Sequence, residues 1–379
     1  MQQIHNVLAV AAVLIATAAP VAAQGAGPGE GAFLDRVRRL TIEGRRAGEG
    51  YWSPDGRQLV FQSEREPGNP FYQIYLMDLT TGDVARVSPG LGKTTCSFIQ
   101  PGTGNILFGS THHDPRSEAL QAEELAFRES GQERRYSWDY DPEMELWVWR
   151  SADGTLQRLT HARGYDAEAS YSPDGRWIVF TSTRQAYDRA LTEKERAQLE
   201  LDPSHFGEIY IMPADGSAEP HRLTDVPGYD GGPFFSPDGT RIIWRRFDEA
   251  GLIADIWTMD LDGGDPRQLT DFGAMSWAPY IHPSGEYVIF ASNKLGFENF
   301  ELFLVDIDGT REPVRVTYSD GFDGLPVPSP DGARLAWTTN RGGGREGQIY
   351  LAEWNHAHAL AALEAAPARR AAAGSEDRP

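Results

Sequence analysis

The stretch Ser172-Pro173-Asp174-Gly175-Arg176-Trp177-Ile178-Val179-Phe180 joins a tight turn to a short apolar strand, and this unit recurs along the chain. Proline fixes φ at the second position of a type I turn, and glycine suits the fourth position. Full copies of the turn begin at Ser53, Ser172, Ser236 and Ser329, and weaker copies are His282-Pro283-Ser284-Gly285 and Gln100-Pro101-Gly102. Six copies of one turn predict six structural repeats.

The strands that follow each turn have a fixed spacing. An aromatic residue stands seven positions after each turn proline: Phe61, Phe108, Phe180, Trp244, Phe290 and Trp337. A third strand carries an aliphatic–aromatic pair such as Ile209-Tyr210, and a fourth ends in Arg/Gln-Leu/Val-Thr/Ser. Four short strands per unit of about 45 residues are typical of propeller blades. The sequence therefore predicts an all-β fold, a six-bladed β-propeller of four-stranded blades.

The two ends of the repeat region complement each other. Thr41 stands 12 residues before Ser53, as the fourth-strand ends of other units stand before the next turn, yet no complete unit precedes it. The last unit stops after its third strand, near Trp354. We therefore expect the N-terminal strand Arg36–Thr41 to complete the last blade and close the ring, which removes exposed sheet edges at that seam.

The turn-plus-strand pattern resembles the WD40-like (PD40) repeat of the TolB-like propeller family, which also occurs in propellers attached to prolyl-oligopeptidase-type peptidases. The resemblance covers roughly residues 35–354. It implies the fold but no particular activity. TolB itself carries an additional N-terminal α/β domain, of which we expect no counterpart here. About 25 residues follow Trp354, so no hydrolase domain is expected after the propeller.

The N-terminal segment has the pattern of a secretory signal peptide, although no Lys or Arg precedes Val7. The apolar run Val7–Ala19 is followed by Val21-Ala22-Ala23, small residues suited to cleavage. We predict a signal peptide over 1–23, a linker over 24–34, the propeller over 35–354 and an Ala-rich tail, flexible or helical, over 355–379. The location is then periplasmic or secreted, and the single Cys96 excludes an internal disulfide.

The composition narrows the possible partners. A formal net charge of −20 disfavours nucleic acid and anionic lipid, and the sequence predicts neither membrane insertion nor a cofactor. A monomer is expected. His112-His113-Asp114 contains potential metal ligands, with His205 as a third, but adjacent histidines in a strand point to opposite sides, so no metal site is predicted.

Two insertions lengthen the loop between the second and third strands of blades 2 and 3. The first opens with the helix-start pair Asp114-Pro115, and the second with the capping box of Thr192 and Glu195. Arg134, Arg135 and Trp138 follow the first helix and have the residue mix of an interface hot spot. The insertions are interpreted as a partner-binding ledge or lid; the alternative is that they only pack over the blades.

Two further sets of residues mark the same end of the blades. Asp166, Asp230 and Asp323 stand six residues before a turn and are expected either to line the channel mouth or to cap their own loops. Arg184 and His112 belong to a mainly basic set eleven residues after each turn proline. This set could pair with the aspartates across neighbouring blades, or present both charges to a peptide or sugar.

These features favour a binding scaffold over an enzyme. We predict that the chain binds a protein or peptide through the channel mouth and the two insertions, with Asp166, Asp230, Asp323, Arg184, His112, Arg134, Arg135 and Trp138 as candidate ligand-binding residues. No catalytic motif such as a Gly-x-Ser-x-Gly elbow occurs, and no catalytic residue is assigned. The alternative is a hydrolase or lyase acting on a sugar or peptide at the same mouth.

Overall fold

A computed structural model describes residues 29–132, 138–343 and 346–369. Its 24 strands in these ranges form six antiparallel sheets of four strands each. The sheets follow one another around a central axis, and each first strand contacts the first strand of the next sheet. The predicted six-bladed β-propeller is confirmed.

Each of blades 1 to 5 takes its strands in chain order from the axis outwards. Blade 1 is β2 (Arg46–Trp52), β3 (Gln58–Glu64), β4 (Gln73–Asp78) and β5 (Val84–Arg86). Blade 2 is β6 (Thr94–Ile99), β7 (Ile106–Ser110), β8 (Glu145–Trp149) and β9 (Leu156–Arg158). Blade 3 is β10 (Asp166–Tyr171), β11 (Trp177–Ser182), β12 (Glu208–Pro213) and β13 (His221–Arg222).

The remaining strands complete the ring. Blade 4 is β14 (Asp230–Phe235), β15 (Arg241–Phe247), β16 (Ala254–Asp260) and β17 (Arg267–Gln268). Blade 5 is β18 (Ser276–Ile281), β19 (Tyr287–Ser292), β20 (Glu301–Asp306) and β21 (Val314–Arg315). Blade 6 is β22 (Asp323–Pro328), β23 (Arg334–Thr339) and β24 (Gln348–Trp354), with β1 (Leu34–Arg39) as its outermost strand.

The repeated Ser-Pro-Asp-Gly turn is held by its own side chains. Ser172 Oγ donates to Asp174 Oδ1 at 2.6 Å and accepts the backbone N–H of Trp177 at 3.0 Å, which starts the second strand. The turns that begin at Ser53, Ser236 and Ser329 make the same pair of bonds. The aromatic residue seven positions after each turn proline is buried between blades, at most 1% exposed in all six copies.

β1 joins blade 6 through the hydrogen bonds that the fourth strand makes in other blades. Thr41 Oγ1 donates to Gln348 Oε1 at 2.8 Å and accepts the N–H of Ile349 at 2.9 Å. In blade 3, Thr224 makes the same contacts with Glu208 and Ile209. The strand itself runs from Leu34 to Arg39, two residues earlier than expected from the spacing, and Thr41 lies just beyond it.

The segments that flank the blades are packed on them. Phe33, at the end of the expected linker, is fully buried and stacks on Trp354 with ring centroids 6.1 Å apart. Helix α3 (His356–Ala365) buries Ala359 and Leu363 against blades 5 and 6. No helix in the described ranges is long and apolar enough to cross a membrane. The segment interpreted as a signal peptide lies outside those ranges.

The two insertions differ in how they pack. Helix α1 (Ser117–Glu129) starts after a turn made by Asp114 and is tied to blade 1, because Arg128 donates to Glu64 at 2.5 Å and to the Pro70 carbonyl at 2.9 Å. Helix α2 (Glu193–Leu201) is held by the Thr192–Glu195 capping box, and none of its residues is buried. We call the end of the propeller with these loops the insertion face, and the end with the Ser-Pro-Asp-Gly turns the turn face.

Replacing Thr41 by valine should weaken the seam of the ring. The valine would leave the Ile349 N–H without an acceptor and Gln348 without its donor, which costs about 1–3 kcal/mol of unfolding free energy. Val37→Thr on the same strand, where the side chain is exposed, is the matched control and should change the unfolding free energy by less than about 0.5 kcal/mol. Equal effects of the two substitutions in denaturant titrations would contradict this account of the seam.

The histidine turn of blade 5 should make stability depend on pH. His282 is buried between Tyr287 and His356, and burial lowers the pKa of its imidazole from 6.5 to about 4. The unfolded chain takes up this proton first, so the unfolding free energy should fall as the pH drops from 6.5 towards 4. Urea titrations of His282→Ser, which restores the serine of the other turns, should lack this component.

His221→Ser, at an exposed histidine on β13, is the control for this effect. Its pH profile should run parallel to that of the unsubstituted protein. A parallel profile for His282→Ser as well would show that the buried imidazole does not resist protonation.

Candidate ligand site in the central channel

A bulge at the same position of each innermost strand lines the central channel. In blades 2 to 6 the register with the second strand shifts between the second and fifth residues of the innermost strand, and in blade 1 between the third and sixth. The bulged residues all have φ between 49° and 60°, and they are Glu49, Cys96, Glu168, Gly232, Ala278 and Leu325. Left-handed backbone is rare outside glycine and tends to persist where surrounding structure fixes it, often at functional sites.

The bulges of blades 1 to 3 bring two carboxyl groups and a thiol together. The Cys96 Sγ lies 3.5 Å from both carboxyl oxygens of Glu49. Glu49 is 9% exposed, and burial, followed by the negative charge of Glu168, raises the pKa of its carboxyl to about 7. Burial and the same two carboxylates raise the pKa of the Cys96 thiol well above its usual range. This thiol is therefore protonated at neutral pH and donates to Glu49.

Blade 4 adds a cation to this group. The Nη2 of Arg245 donates to Glu168 Oε2 at 2.8 Å and to the Tyr229 hydroxyl at 3.0 Å, and Glu168 also accepts a short hydrogen bond from Tyr229. The guanidinium needs the glycine at the bulge of its own blade, since a Cβ on Gly232 would lie 2.0 Å from Arg245 Nη1. We call Glu49, Cys96, Glu168, Tyr229 and Arg245 the channel cluster.

An apolar floor lies two residues further along the innermost strands. Tyr51, Phe98, Phe234 and Tyr280 come from blades 1, 2, 4 and 5, and their ring centroids lie 5.1–6.2 Å apart. Tyr51 and Phe234 thus touch across the axis. Because each innermost strand runs from the insertion face to the turn face, the floor lies beneath the channel cluster. The cluster therefore lies between this floor and the insertion face, and we call this part of the central channel the funnel.

The end of the first insertion forms one wall of this funnel. Trp138 Nε1 donates to the Tyr165 hydroxyl at 2.9 Å, and the ring of Tyr140 lies edge-on to Tyr165 and Tyr229 at 5.1 and 5.6 Å. Tyr165 in turn approaches Glu168 Oε1 at 3.5 Å. Trp138, which the sequence predicts as a site residue, is therefore connected through Tyr165 to Glu168 of the channel cluster. Arg134 and Arg135 lie outside the described residues.

The three aspartates predicted for the channel mouth are internal to their blades. Asp166 accepts from Arg184 at 2.5 Å, Asp230 from Arg246 at 2.8 Å and Asp323 from Arg341 at 2.8 Å, and all three carboxylates are at most 1% exposed. The expected pairing across neighbouring blades is wrong, since each pair lies within one blade. Burial beside a dedicated arginine removes these side chains from the surface, so they form no exposed acidic ring.

The basic set packs on aromatic rings. Arg184 lies over Phe180 and Tyr210, and His112 lies 4.2 Å from the ring of Trp147. Burial, then the charges of His113 and Arg158, lowers the pKa of His112 to about 4. The described ranges hold no group of three or more His, Cys, Asp or Glu side chains placed to bind a metal ion. The side chains of His112 and Arg184 thus lie against aromatic rings of their own blades, 2 and 3.

Comparison with known sequences gives distant relatives and no family. No family model matches the sequence. The chain is 26% identical over 253 residues to an uncharacterized protein of Agrobacterium fabrum, a match that covers 60% of this chain and 80% of that protein. It is 25% identical over 182 residues to the uncharacterized peptidase YuxL of Bacillus subtilis, covering 39% of this chain but 25% of the peptidase.

Solved structures show the same architecture. The putative TolB of Agrobacterium tumefaciens superposes with a TM-score of 0.55 at 21% identity, over 82% of this chain and 90% of that one. TolB of Acinetobacter baumannii gives 0.52 at 17% identity, over 82% and 64%. The fold is that of a TolB-like propeller. A gluconolactonase of Xanthomonas campestris also matches, with a TM-score of 0.55 at 15% identity over 86% of this chain and 92% of that one.

The channel cluster of this TolB-like propeller has a signal in the sequence that the repeat analysis did not use. Aligning the six repeats on their turns places Glu49, Cys96, Glu168, Gly232, Ala278 and Leu325 in one column, two residues after the column of the three aspartates. A second column, eight residues after each turn proline, contains Arg245 among smaller side chains. Residues that differ most between repeats, rather than those that recur, mark this site.

Substituting Gly232 by alanine should displace Arg245 and destabilise the TolB-like propeller. Gly285→Ala is the matched control, because both glycines have left-handed φ values, +60° and +77°, but a Cβ on Gly285 meets no atom within 4 Å. Both substitutions carry a backbone strain of about 1 kcal/mol. Gly232→Ala should cost about 2–4 kcal/mol more in chemical denaturation, since it also separates the buried Glu168–Arg245 pair. Equal losses would contradict the packing described here.

Proposed function

We propose that this protein is an exported, monomeric propeller that binds a polypeptide on its insertion face and has no catalytic role of its own. The observation that carries the proposal is the distribution of exposed apolar side chains. Of eleven large ones in the described ranges, eight lie in loops of the insertion face: Ile42, Leu201, Val226, Leu252, Ile253, Leu295, Phe297 and Tyr318. Apolar side chains gathered on one side of a soluble domain are typical of protein-binding surfaces.

Three of the four most exposed members of this set belong to consecutive blades, 3 to 5. Leu201 is 80% exposed at the end of α2, Leu252 is 68% exposed in blade 4, and Phe297 is 72% exposed in blade 5. Each lies between the second and third strands of its blade. Together with the aromatic wall at Trp138 and Tyr140, they would give a partner apolar contacts around the funnel mouth. Arg134 and Arg135, which precede that wall in sequence, remain predicted members of the surface.

The surrounding charge favours a basic partner. The formal net charge of −20 attracts cationic polypeptides and slows the approach of acidic ones. A periplasmic or secreted location is proposed from the apolar run Val7–Ala19 and the small residues after it.

An enzymatic role is the second candidate, and one observation favours it. The Glu49 carboxyl has a pKa of about 7 and lies at the base of the funnel, so it could donate or accept a proton near neutral pH. The reaction would then be a hydrolysis or elimination on a sugar or peptide in the channel. No second group with the geometry of a nucleophile or base is assigned, and the binding role therefore has the stronger support.

The double substitution Leu252→Glu/Phe297→Glu should abolish polypeptide binding. Two carboxylates at the centre of an apolar contact would be desolvated without partners, so affinity should fall at least about tenfold. The measurement is affinity capture from an envelope extract, with each captured polypeptide then titrated as a purified component. Trp177→Glu is the matched control, because Trp177 is exposed at the opposite end of the propeller, beside the turn of blade 3.

Retention of the same partner by the double variant would contradict the proposal. So would hydrolysis or elimination of a sugar or peptide by the purified protein that is lost in Glu49→Gln, because that result would establish the enzymatic role instead.

A further inference from the structure

Glu49 differs from most buried carboxylates in the described ranges because no arginine or lysine nitrogen lies within 4 Å of it. Twelve carboxylates are buried in the described residues, and ten of them lie within 4 Å of an arginine or lysine nitrogen. The eleventh, Asp114, accepts the N–H of Arg116 at the start of the first insertion. Among the residues that the structure describes, the Glu49 carboxyl contacts one donor, the Cys96 thiol at 3.5 Å, which is weak. A buried carboxylate without a cation is costly, so this position fits a positively charged ligand group.

Arg245, which is near Glu49, has hydrogen-bond donors without acceptors among the described residues. Both hydrogen bonds of its guanidinium come from Nη2, which donates to Glu168 and Tyr229. Within the described ranges, the Nε of Arg245 is buried without a partner and its Nη1 donates to no group. The side chain is 10% exposed, and its guanidinium lies over the ring of Trp277 in blade 5, 5.5 Å from the centroid. A guanidinium normally satisfies most of its five donors. The unused donors fit an oxygen acceptor on a ligand.

The channel geometry limits how such a ligand can enter. The contacts among Tyr51, Phe98, Phe234 and Tyr280 close the axis below the cluster, so a polypeptide cannot thread through and must enter end-first or by a side chain. The first residue of a peptide carries an ammonium group and a carbonyl oxygen on adjacent backbone atoms. It is the part of a polypeptide that offers both a cation and an acceptor at a chain end.

We propose that the channel cluster binds the amino-terminal residue of a peptide, with its α-ammonium at the Glu49 carboxylate and its first carbonyl oxygen at the Arg245 guanidinium. The inference rests on the proposed polypeptide binding and names the part of the partner that enters the funnel. Charge-assisted hydrogen bonds of this kind are strong where water is excluded. The first side chain would contact the aromatic floor, and apolar residues are favoured there.

The test compares two small probes that differ by one acetyl group, which removes the positive charge of the amino terminus. Trialanine amide and N-acetyl-trialanine amide are titrated into the full protein, and binding is followed by isothermal calorimetry or by NMR line shifts. We expect the free amine to bind at least tenfold more tightly. Glu49→Gln should remove this difference while leaving the protein folded, because Glu49 forms no ion pair within the described ranges. Glu219→Gln, at an exposed carboxylate, is the matched control and should retain the difference.

The other outcomes overturn the inference in distinguishable ways. Equal affinity of both probes for the unsubstituted protein, or no binding of either, contradicts amine recognition. A tenfold preference that survives in Glu49→Gln contradicts the assignment to this residue. Tighter binding of Nα-acetyl-lysine amide, whose side-chain ammonium is free, than of trialanine amide would assign the site to a side chain rather than a chain end.

Polypeptide binding on the insertion face can be contradicted independently of amine recognition in the channel. Amine recognition that is intact in Leu252→Glu/Phe297→Glu, in a protein that captures no polypeptide, would contradict the role of the insertion face alone. Conversely, a partner that depends on Leu252 and Phe297 but is bound without any preference between the two probes would contradict the channel assignment alone.

Discussion

The pairing of β1 with β24 is the contact on which the remaining structure depends. Every blade packs between two neighbours, so the ring has no stable end, and blade 6 would present a long unpaired strand edge without β1. The bonds at this seam repeat those inside the other blades: Arg39 Nε donates to the Thr41 carbonyl at 2.7 Å, as Arg222 does to Thr224 at 2.6 Å. A segment more than 300 residues away in sequence thus satisfies the same donors and acceptors as a neighbouring strand would.

A closed ring makes it possible to hold a strained conformation at the axis. Five non-glycine residues have left-handed backbone at the bulges of the innermost strands, each at a cost of about 1 kcal/mol or more. The strand is paired on both sides of each bulge and neighbouring blades fix its position, so the surrounding structure maintains the strain. Because the backbone sets the direction of the side chain, its chemical type can vary from blade to blade. One framework therefore presents Glu49, Cys96 and Glu168 beside one another with little freedom to move.

The fold could be predicted from the sequence because its determinants recur. The Ser-Pro-Asp-Gly turn and the aromatic residue seven positions after its proline have the same role in each blade, so each copy supports the others. The site could not be predicted in this way. The aspartates of Gly-Tyr-Asp recur because each pairs with an arginine in its own blade, so their recurrence reflects a structural contact. The column of bulged residues contains Glu, Cys, Gly, Ala and Leu, and the bulge geometry shows that these residues face one axis.

The electrostatics of the interior connect the fold to the channel. The chain carries 55 acidic and 35 basic residues, yet ten of its twelve buried carboxylates in the described ranges have a cation beside them, an arginine in nine cases. Arginine suits this task because its planar group can stack on an aromatic ring while it donates to a carboxylate, as Arg184 does between Phe180, Tyr210 and Asp166. Basic residues are the scarcer charge in this protein, yet most of these buried carboxylates have one beside them. Against that pattern, the pairing of Arg245 with Glu168 and not with Glu49 leaves one carboxyl group and two guanidinium nitrogens of the described ranges unmatched at the same place.

A neutral side chain at position 49 would avoid the cost of burial, and hydrophobic residues occupy the equivalent bulges of blades 5 and 6 without loss of the fold. The carboxyl group at Glu49 is therefore not required by the architecture, and the proposed ligand would supply the cation that this position lacks.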